Sequence, residues 1–396
     1  MRLAGTPMKL AGLKVLDLSA FLPGPHLTLM MADHGAEVIM VEPANGLGEP
    51  TREIGWKTED GVSVWFRNIA RGKKSLKLNL KDEDGRALLH ALVEDADVVV
   101  EAFRPGVAKR LAADYATLSA INPALVYCSI SAFGQDGEYA ARPAHDLTVQ
   151  AMAGLVDLNR GLEDGKPASP NMPVADMAAS LMALSAILMA LHRRHATGEG
   201  DFIDMAMYDA CLAWTPNVTG PVFADDVRPP VKDMRSFGGA GMYHVYETRD
   251  GRHLVLGGSE VKFAANLLLA LGREDLIEIA KRDPGPGQAP LRDFFKEEFS
   301  RKTLSEWEAF LTGIDVCWAP VRSLKDAFDD PHTAARDMVL EDSNGNRHIG
   351  PPIRFAKEPA RPDPLTPEFG EHSEALAREA GFDEARIAAM KARGAI

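Results

Sequence analysis

Apolar residues in the first third of the chain come in short runs, each followed by a longer segment of helical spacing. Lys14–Leu18 and Glu37–Glu42 read as strands, with a helix predicted between them over Pro25–His34 and ended by Gly35. The rhythm repeats as a strand over Ser75–Leu80, a helix over Asp82–Asp95 and a buried strand over Asp97–Glu101. A short helix near Tyr115–Ile121 then leads into a strand over Leu125–Ser131. Strands separated by helices at this pace predict a parallel, doubly wound α/β sheet. The first turn, Ser19-Ala20-Phe21-Leu22-Pro23-Gly24-Pro25, lacks G-x-G-x-x-G, which argues against a nicotinamide or flavin cofactor.

From Asp146 the pattern turns helical. One helix is expected over Asp146–Leu155, a loop with Gly and Pro over Gly161–Pro173, and a long helix over Val174–His195 capped by Thr197-Gly198-Glu199-Gly200. Trp214–Gly241, rich in Pro, Gly and Asp, has the composition of a linker. Met242–Thr248 and Arg252–Leu256 alternate as a hairpin with Asp250-Gly251 at its turn. Further helices are expected over Lys262–Leu271, over Leu304–Leu311 and from Ser373.

Composition narrows the class. A chain of 396 residues, 46% hydrophobic and 26% charged, is that of a soluble globular protein with room for two domains. A net charge of -13 argues against a nucleic-acid binder, whose partner demands a basic face. Cys128, Cys211 and Cys317 are too widely spaced for a disulfide framework or a zinc site, which predicts a reducing, cytoplasmic setting. Met1–Leu13 has no apolar core of signal-peptide length. The apolar stretch Met177–Leu191 is shorter than the roughly 20 residues that span a membrane.

Candidate chemistry lies in a few places. Arg67, Arg71, Lys73, Lys74 and Lys77 gather positive charge in an acidic protein, and both a phosphate-holding loop and a solvated basic loop fit them. Arg104 and Arg110, after the strand ending at Glu101, would extend the same sheet edge, where Phe103 offers an apolar face. His145-Asp146, Asp176 and Glu260 form a second set, because a histidine and a carboxylate can remove and return a proton across a substrate. Each also has a plainer reading. His145 could satisfy a local hydrogen bond, Asp146 could cap a helix, Asp176 could complement a helix dipole and Glu260 could open a helix. His192 and His195 have no third ligand nearby, so no metal site is expected. No G-x-S-x-G, H-E-x-x-H or Walker A pattern occurs.

Taken in order, several segments resemble the class III coenzyme A transferase (CaiB/BaiF) family. They are Leu13–Leu18, Gly35–Ile39, Arg71–Ser75, Glu101–Gly106, Phe133–Gly137, Thr197–Gly200, Cys317–Val321 and Gly350–Phe355. The resemblance runs almost end to end. It implies a Rossmann-like large domain with a smaller α+β domain, and a homodimer whose chains interlock. The implied division is residues 1–215 for the large domain, 216–330 for the small domain, and 331–396 returning to the large one. It implies an acyl-CoA substrate, with coenzyme A carried as part of the thioester, no other cofactor, and neither nucleic acid nor membrane as partner. Lys73, Phe103 and Arg110, with Arg71 and Arg104, become candidate coenzyme A contacts. Ala102 and Met40 depart from the family, where asparagine and a basic residue are common.

Asp176 matches the family's catalytic carboxylate. In the transferases that residue is a nucleophile passing through an aspartyl-CoA thioester. In the α-methylacyl-CoA racemase branch it is a base, opposed by a histidine at the position of His145, with a carboxylate at the position of Glu260 paired to that histidine. Asp176, His145, Glu260 and the neighbouring Asp146 therefore form the expected catalytic set. Backbone N–H groups at the start of the Asp176 helix are expected to hold the enolate oxygen. An acyl-CoA racemase is the leading expectation, a CoA-transferase its rival, and a non-catalytic thioester-binding subunit a third reading. Met177-Ala178-Ala179-Ser180 stands where the racemases are glycine-rich, so the acyl group need not be a 2-methyl-branched chain.

Overall fold

The computed structural model describes residues 7–161 and 164–396, so the readings of Met1–Leu13 and of the 161–173 loop fall partly outside the described residues. Six strands form one parallel sheet: β1 (Lys14–Leu18), β2 (Glu37–Pro43), β3 (Lys74–Leu78), β4 (Val98–Glu101), β5 (Val126–Ser131) and β6 (Asp201–Ala206). Their order is β3-β2-β1-β4-β5-β6, the doubly wound arrangement in which the chain reverses direction across the sheet between β1 and β4. Burial on both faces explains the unbroken apolar runs: Val98, Val99 and Val100 of β4 have no exposed surface.

The helices in this half are α1 (Pro23–Asp33), α2 (Val64–Ala70), α3 (Glu83–Val93), α4 (Val107–Arg110), α5 (Tyr115–Ile121), α6 (Asp146–Met152), α7 (Leu155–Leu158), α8 (Val174–Thr197) and α9 (Met207–Ala213). Asp82 caps α3 by accepting from the N–H groups of Asp84 and Gly85 at 2.9 and 3.2 Å. Gly198, at φ 74°, ends α8 with its N–H donated to the Arg194 carbonyl. The tail also belongs here. His372 Nδ1 and Ser373 Oγ accept from the N–H groups of Ser75 and Lys77, covering the edge strand β3. Leu376, Ile387 and Met390 join Leu16, Ile39, Leu76 and Val99 in one core.

Contacts divide the chain into Met1–Ala153, Asn171–Trp214 and Pro331–Ile396 in one unit, and Gly154–Pro170 with Thr215–Asp330 in the other. The second unit holds a helix α10 (Gly220–Asp225), an antiparallel sheet of β7 (Tyr243–Glu247), β8 (His253–Gly257) and β9 (Trp318–Pro320), and α11 (Val261–Ala270). Its core is Leu254, Leu256, Leu267, Phe295, Phe299 and Trp307, with the Trp307 Nε1–H donated to the Phe299 carbonyl at 2.8 Å. In the first unit β10 (Val339–Glu341) and β11 (Arg347–Ile349) form a separate hairpin.

Three expectations change. The helix predicted over Asp146–Leu155 breaks at Gly154, whose φ of 82° suits glycine, and residues 154–170 join the second unit rather than the large one. The long apolar helix is 24 residues, so by length and composition it could cross a membrane, contrary to the shorter reading. Its small-residue face, including Ala175, Ala178, Ala179 and Ala183, is nevertheless buried within its unit.

The third change concerns the basic run. Arg67 lies in α2, and Arg67, Arg71 and Lys73 are all buried. Arg71 forks onto Asp33 at 3.1 and 2.7 Å. Lys73 Nζ donates to Thr28 Oγ1 at 2.7 Å, the Pro25 carbonyl at 2.9 Å and Asp17 Oδ2 at 3.1 Å. An ammonium has three N–H donors, and these acceptors use them all. Lys73 is thus an internal brace with no donor left for a phosphate, and Arg71 is braced on Asp33 with its buried Nη1 unpartnered. Replacing Lys73 with alanine strands the Asp17 carboxylate in the core and is expected to cost about 3–5 kcal/mol. Urea unfolding of wild type and Lys73→Ala checks this, and a loss below about 1 kcal/mol would count against the brace.

Candidate active site

Two clefts open at the carboxyl ends of the strands, close to where the strand order reverses. The first, about 240 Å³, is bordered by Ser19 and Ala20 after β1, Met40 to Pro43 of β2, Leu78 to Lys81 after β3, and Phe103 after β4. The second, about 330 Å³, is bordered by Phe21, Phe103, Arg104, Arg142, His145 and Asp176. Ala20 and Phe103 line both. This is where doubly wound folds hold ligands.

The turn between β1 and α1 is built for close approach. A Cβ on Gly24 would collide with the Ser19 hydroxyl, which itself donates to Asp17. Phe21 has φ 65°, a left-handed backbone costing a bulky residue about 1–2 kcal/mol. Its N–H is donated to Glu49 Oε1 at 3.0 Å, and Glu49 also accepts from the Thr51 N–H and hydroxyl. Burial, the largest influence, pushes the Glu49 carboxyl up. The Phe21 ring stands edge-on to His145, with centroids 5.7 Å apart and planes at 86°. After β4, Glu101 Oε2 accepts from the Phe103 N–H at 2.7 Å and sets that ring at the junction of the clefts.

His145 and Asp176 are brought to one cleft by two helix starts. His145 occupies the N-cap position of α6, and Asp176 lies in the first turn of α8. Asp146 joins them differently from the expectation. Its Oδ1 accepts from the N–H groups of Ala175 and Asp176 at 2.8 and 3.2 Å, and its Oδ2 accepts from Gln150 Nε2 at 2.6 Å. Gln150 also reaches the Met172 carbonyl at 3.1 Å. Asp146 is therefore a clamp on the start of the Asp176 helix, with both of its carboxylate oxygens hydrogen-bonded. The same bonds occupy the helix-start N–H groups expected to hold an enolate oxygen, so those donors are not free.

The clamp has an electrostatic consequence. Burial first, and the Asp146 charge second, push the Asp176 carboxyl from its ordinary 3.8 to about 7. Below Asp176 on α8, Ser180 Oγ contacts His26 Nδ1 at 2.8 Å, and burial with the charges of Lys73 and Arg71 pulls His26 down to about 4.

The other expected residues scatter. Arg104 is exposed and borders the second cleft, while Arg110 is exposed on α4 with Nη1 donated to the Gly106 carbonyl at 3.3 Å. Glu260 belongs to the second unit, where it precedes α11 and makes no side-chain capping bond. No group of metal-ligating side chains occurs among the described residues. Sequence reasoning missed Phe21, Glu49 and Gln150. Only the Pro-Gly-Pro after Phe21 hinted at an unusual turn, and nothing local marks Glu49 or Gln150.

The model of CoA-transferase family III matches residues 10–373. The chain belongs to that family. It is 33% identical to an acyl-CoA transferase of Fusarium pseudograminearum, over 98% of this chain and 88% of that relative. It is 30% identical to the alpha-methylacyl-CoA racemase of Mus musculus, over 96% and 95%. Among solved structures, a CaiB/BaiF family protein from Brucella suis matches with a TM-score of 0.82 and 31% identity, over 95% of this chain and 100% of that one. Relatives named as CoA-transferases outnumber the racemase, and the chain is an enzyme of transferase or isomerase type.

Two pH effects follow from the clamp. Because the Asp176 carboxyl is raised in the folded state, the fold holds a proton there that the unfolded chain releases above pH 3.8. Stability should fall between about pH 4 and 7 through this group. Asp176→Asn should recover up to about 4 kcal/mol at pH 8 and little at pH 4, read by urea unfolding at both values. Asp146→Asn keeps an acceptor for the helix but removes the charge. The Asp176 titration, followed by carbon NMR of labelled aspartate, should then drop below 7 while staying above 3.8, since burial is the larger cause.

Proposed function

We propose that this enzyme exchanges the α-proton of an acyl-CoA thioester, epimerising its 2-position, with Asp176 and His145 as the two acid–base groups. The observation that carries the reading is their presence in one cleft, where burial and the Asp146 charge push the Asp176 carboxyl up to about 7. Two-base exchange needs one partner deprotonated while the other carries a proton, and a carboxyl near 7 serves either role at physiological pH. The thioester makes the α-proton removable because the carbanion delocalises onto the carbonyl oxygen as an enolate. One group takes the proton, and the other returns one to the opposite face. The cleft wall includes the apolar Phe21, Phe103, Ile130 and Met207, which suits an acyl chain.

Coenzyme A acts here as the substrate's handle, and no further cofactor enters the reaction. We assign its nucleotide end to the first cleft, which Lys81 borders together with the apolar Leu78, Leu80 and Phe103. Arg104 and Arg110 remain the phosphate-facing cations of this proposal. A second reading, CoA transfer to a free acid through an aspartyl-CoA at Asp176, is favoured by the predominance of CoA-transferases among the relatives. We place the enzyme in the cytoplasm as a homodimer. Leu181, Leu188 and Met189 on the outer face of α8 are 40%, 40% and 70% exposed, an apolar surface that a second copy would cover.

One assay separates the readings. Incubated with a panel of acyl-CoA esters in deuterated water, the wild type should take up α-deuterium without any acid acceptor. His145→Ala and Asp176→Ala should each lower that rate by about 10²–10⁴-fold. CoA transfer between acids without α-exchange would overturn the epimerase reading and leave the transferase. Sedimentation at falling protein concentration should show a dimer throughout, and a folded monomer would remove the assembly from the proposal.

A further inference from the structure

We propose that Phe21 is a positioning residue for His145: held in a left-handed backbone by a buried carboxylate, its ring stands edge-on to the imidazole and fixes its orientation at the cleft. This rests on the proton-exchange reading. His145 occupies the N-cap position of α6 but makes no side-chain capping bond, so its own helix does not orient the ring. Phe21 supplies a wall from outside, with ring centroids 5.7 Å apart and planes at 86°.

The wall is anchored through its backbone. Phe21 donates its N–H to Glu49, which is only 3% exposed. The Glu49 N–H in turn reaches Glu42 Oε2 at 2.8 Å. Glu42 is forked by Arg52 at 2.7 and 2.8 Å and bonded by the Ser75 hydroxyl, which ties the anchor to β2 and β3. Glu49 also borders the first cleft, whereas Phe21 borders the second. A tight turn with φ 65° would fit glycine better than phenylalanine. A side chain kept against backbone preference beside an acid–base group marks strain retained for function. A small misplacement of such a group is enough to slow proton transfer severely.

The test uses wild type, Phe21→Gly and the ring-keeping Phe21→Tyr. Each is assayed for α-deuterium uptake from the separate enantiomers of a 2-methylacyl-CoA, for thermal unfolding, and for His145 labelling by diethyl pyrocarbonate with peptide mass spectrometry. Phe21→Gly should fold with an equal or higher Tm, since glycine relieves the backbone. His145 should label about threefold faster or more, and uptake from one enantiomer should fall about tenfold or more while the other changes less than about twofold. Phe21→Tyr should behave as wild type. Equal slowing of both enantiomers with unchanged labelling would overturn the proposal, because a merely structural role predicts that. If the wild type exchanges neither enantiomer, the proton-exchange reading fails separately. The labelling ratio then decides alone, with faster labelling in Phe21→Gly supporting the wall and unchanged labelling overturning it.

Discussion

The buried pair of Lys73 and Asp17 is the constraint around which the site is arranged. Asp17 lies in β1, Lys73 stands at the entrance to β3, and both have fully buried side chains. Between them the Thr28 hydroxyl accepts from Lys73 and donates to Asp17, which brings α1 into the same knot. Burial pulls the lysine's proton affinity down, and the Asp17 charge acts against that pull. A charge so deep is tolerated only when every donor is satisfied, and here every donor is. The result is a fixed β1–α1 turn, on which Ala20 borders both clefts and Phe21 the second.

A second fixed point lies on the other side of the second cleft. Asp146 replaces the capping side chain that Pro173 cannot supply at the start of α8, and Gln150 holds the capping carboxylate in turn. An uncharged cap would secure the helix equally well. A charged one also adds to the larger effect of burial in raising the proton affinity of Asp176, so one side chain both holds the start of the helix and contributes to that shift. His145 and Asp146 are adjacent in sequence. The same short segment therefore contributes one acid–base candidate directly and adjusts the other.

The centre of the parallel sheet was legible because β1, β2, β4 and β5 are buried and read as short apolar runs, whereas the half-exposed edge strand β6, with Asp201 and Asp204, gave no such run. The helix carrying Asp176 was legible from its length and its Gly198 stop. The basic run was not. Five positive charges within Arg67–Lys77 suggest a solvated or ligand-binding loop. The partners that internalise Arg71 and Lys73 are Asp33 and Asp17, distant in sequence and invisible to any local pattern. Asp146 was misread for a related reason. Its capping bonds run to residues 29 and 30 positions away, so adjacency to His145 suggested chemistry where the fold uses it for placement. Gly154 could have been weighed as a helix stop, but a single glycine inside a helical pattern is often tolerated.

What the backbone does around the cleft limits how charge can be managed there. The Phe21 N–H is taken by Glu49, the Phe103 N–H by Glu101, and those of Ala175 and Asp176 by Asp146. Each of these carboxylates is buried or half-buried, and each uses a backbone donor to hold a turn instead of leaving it to face the cleft. The cations bordering the same cleft are Arg104 and Arg142. Backbone donors and carboxylates thus set the geometry of the turns, while the side chains of Arg104, Arg142, His145 and Asp176 border the cleft that those turns enclose.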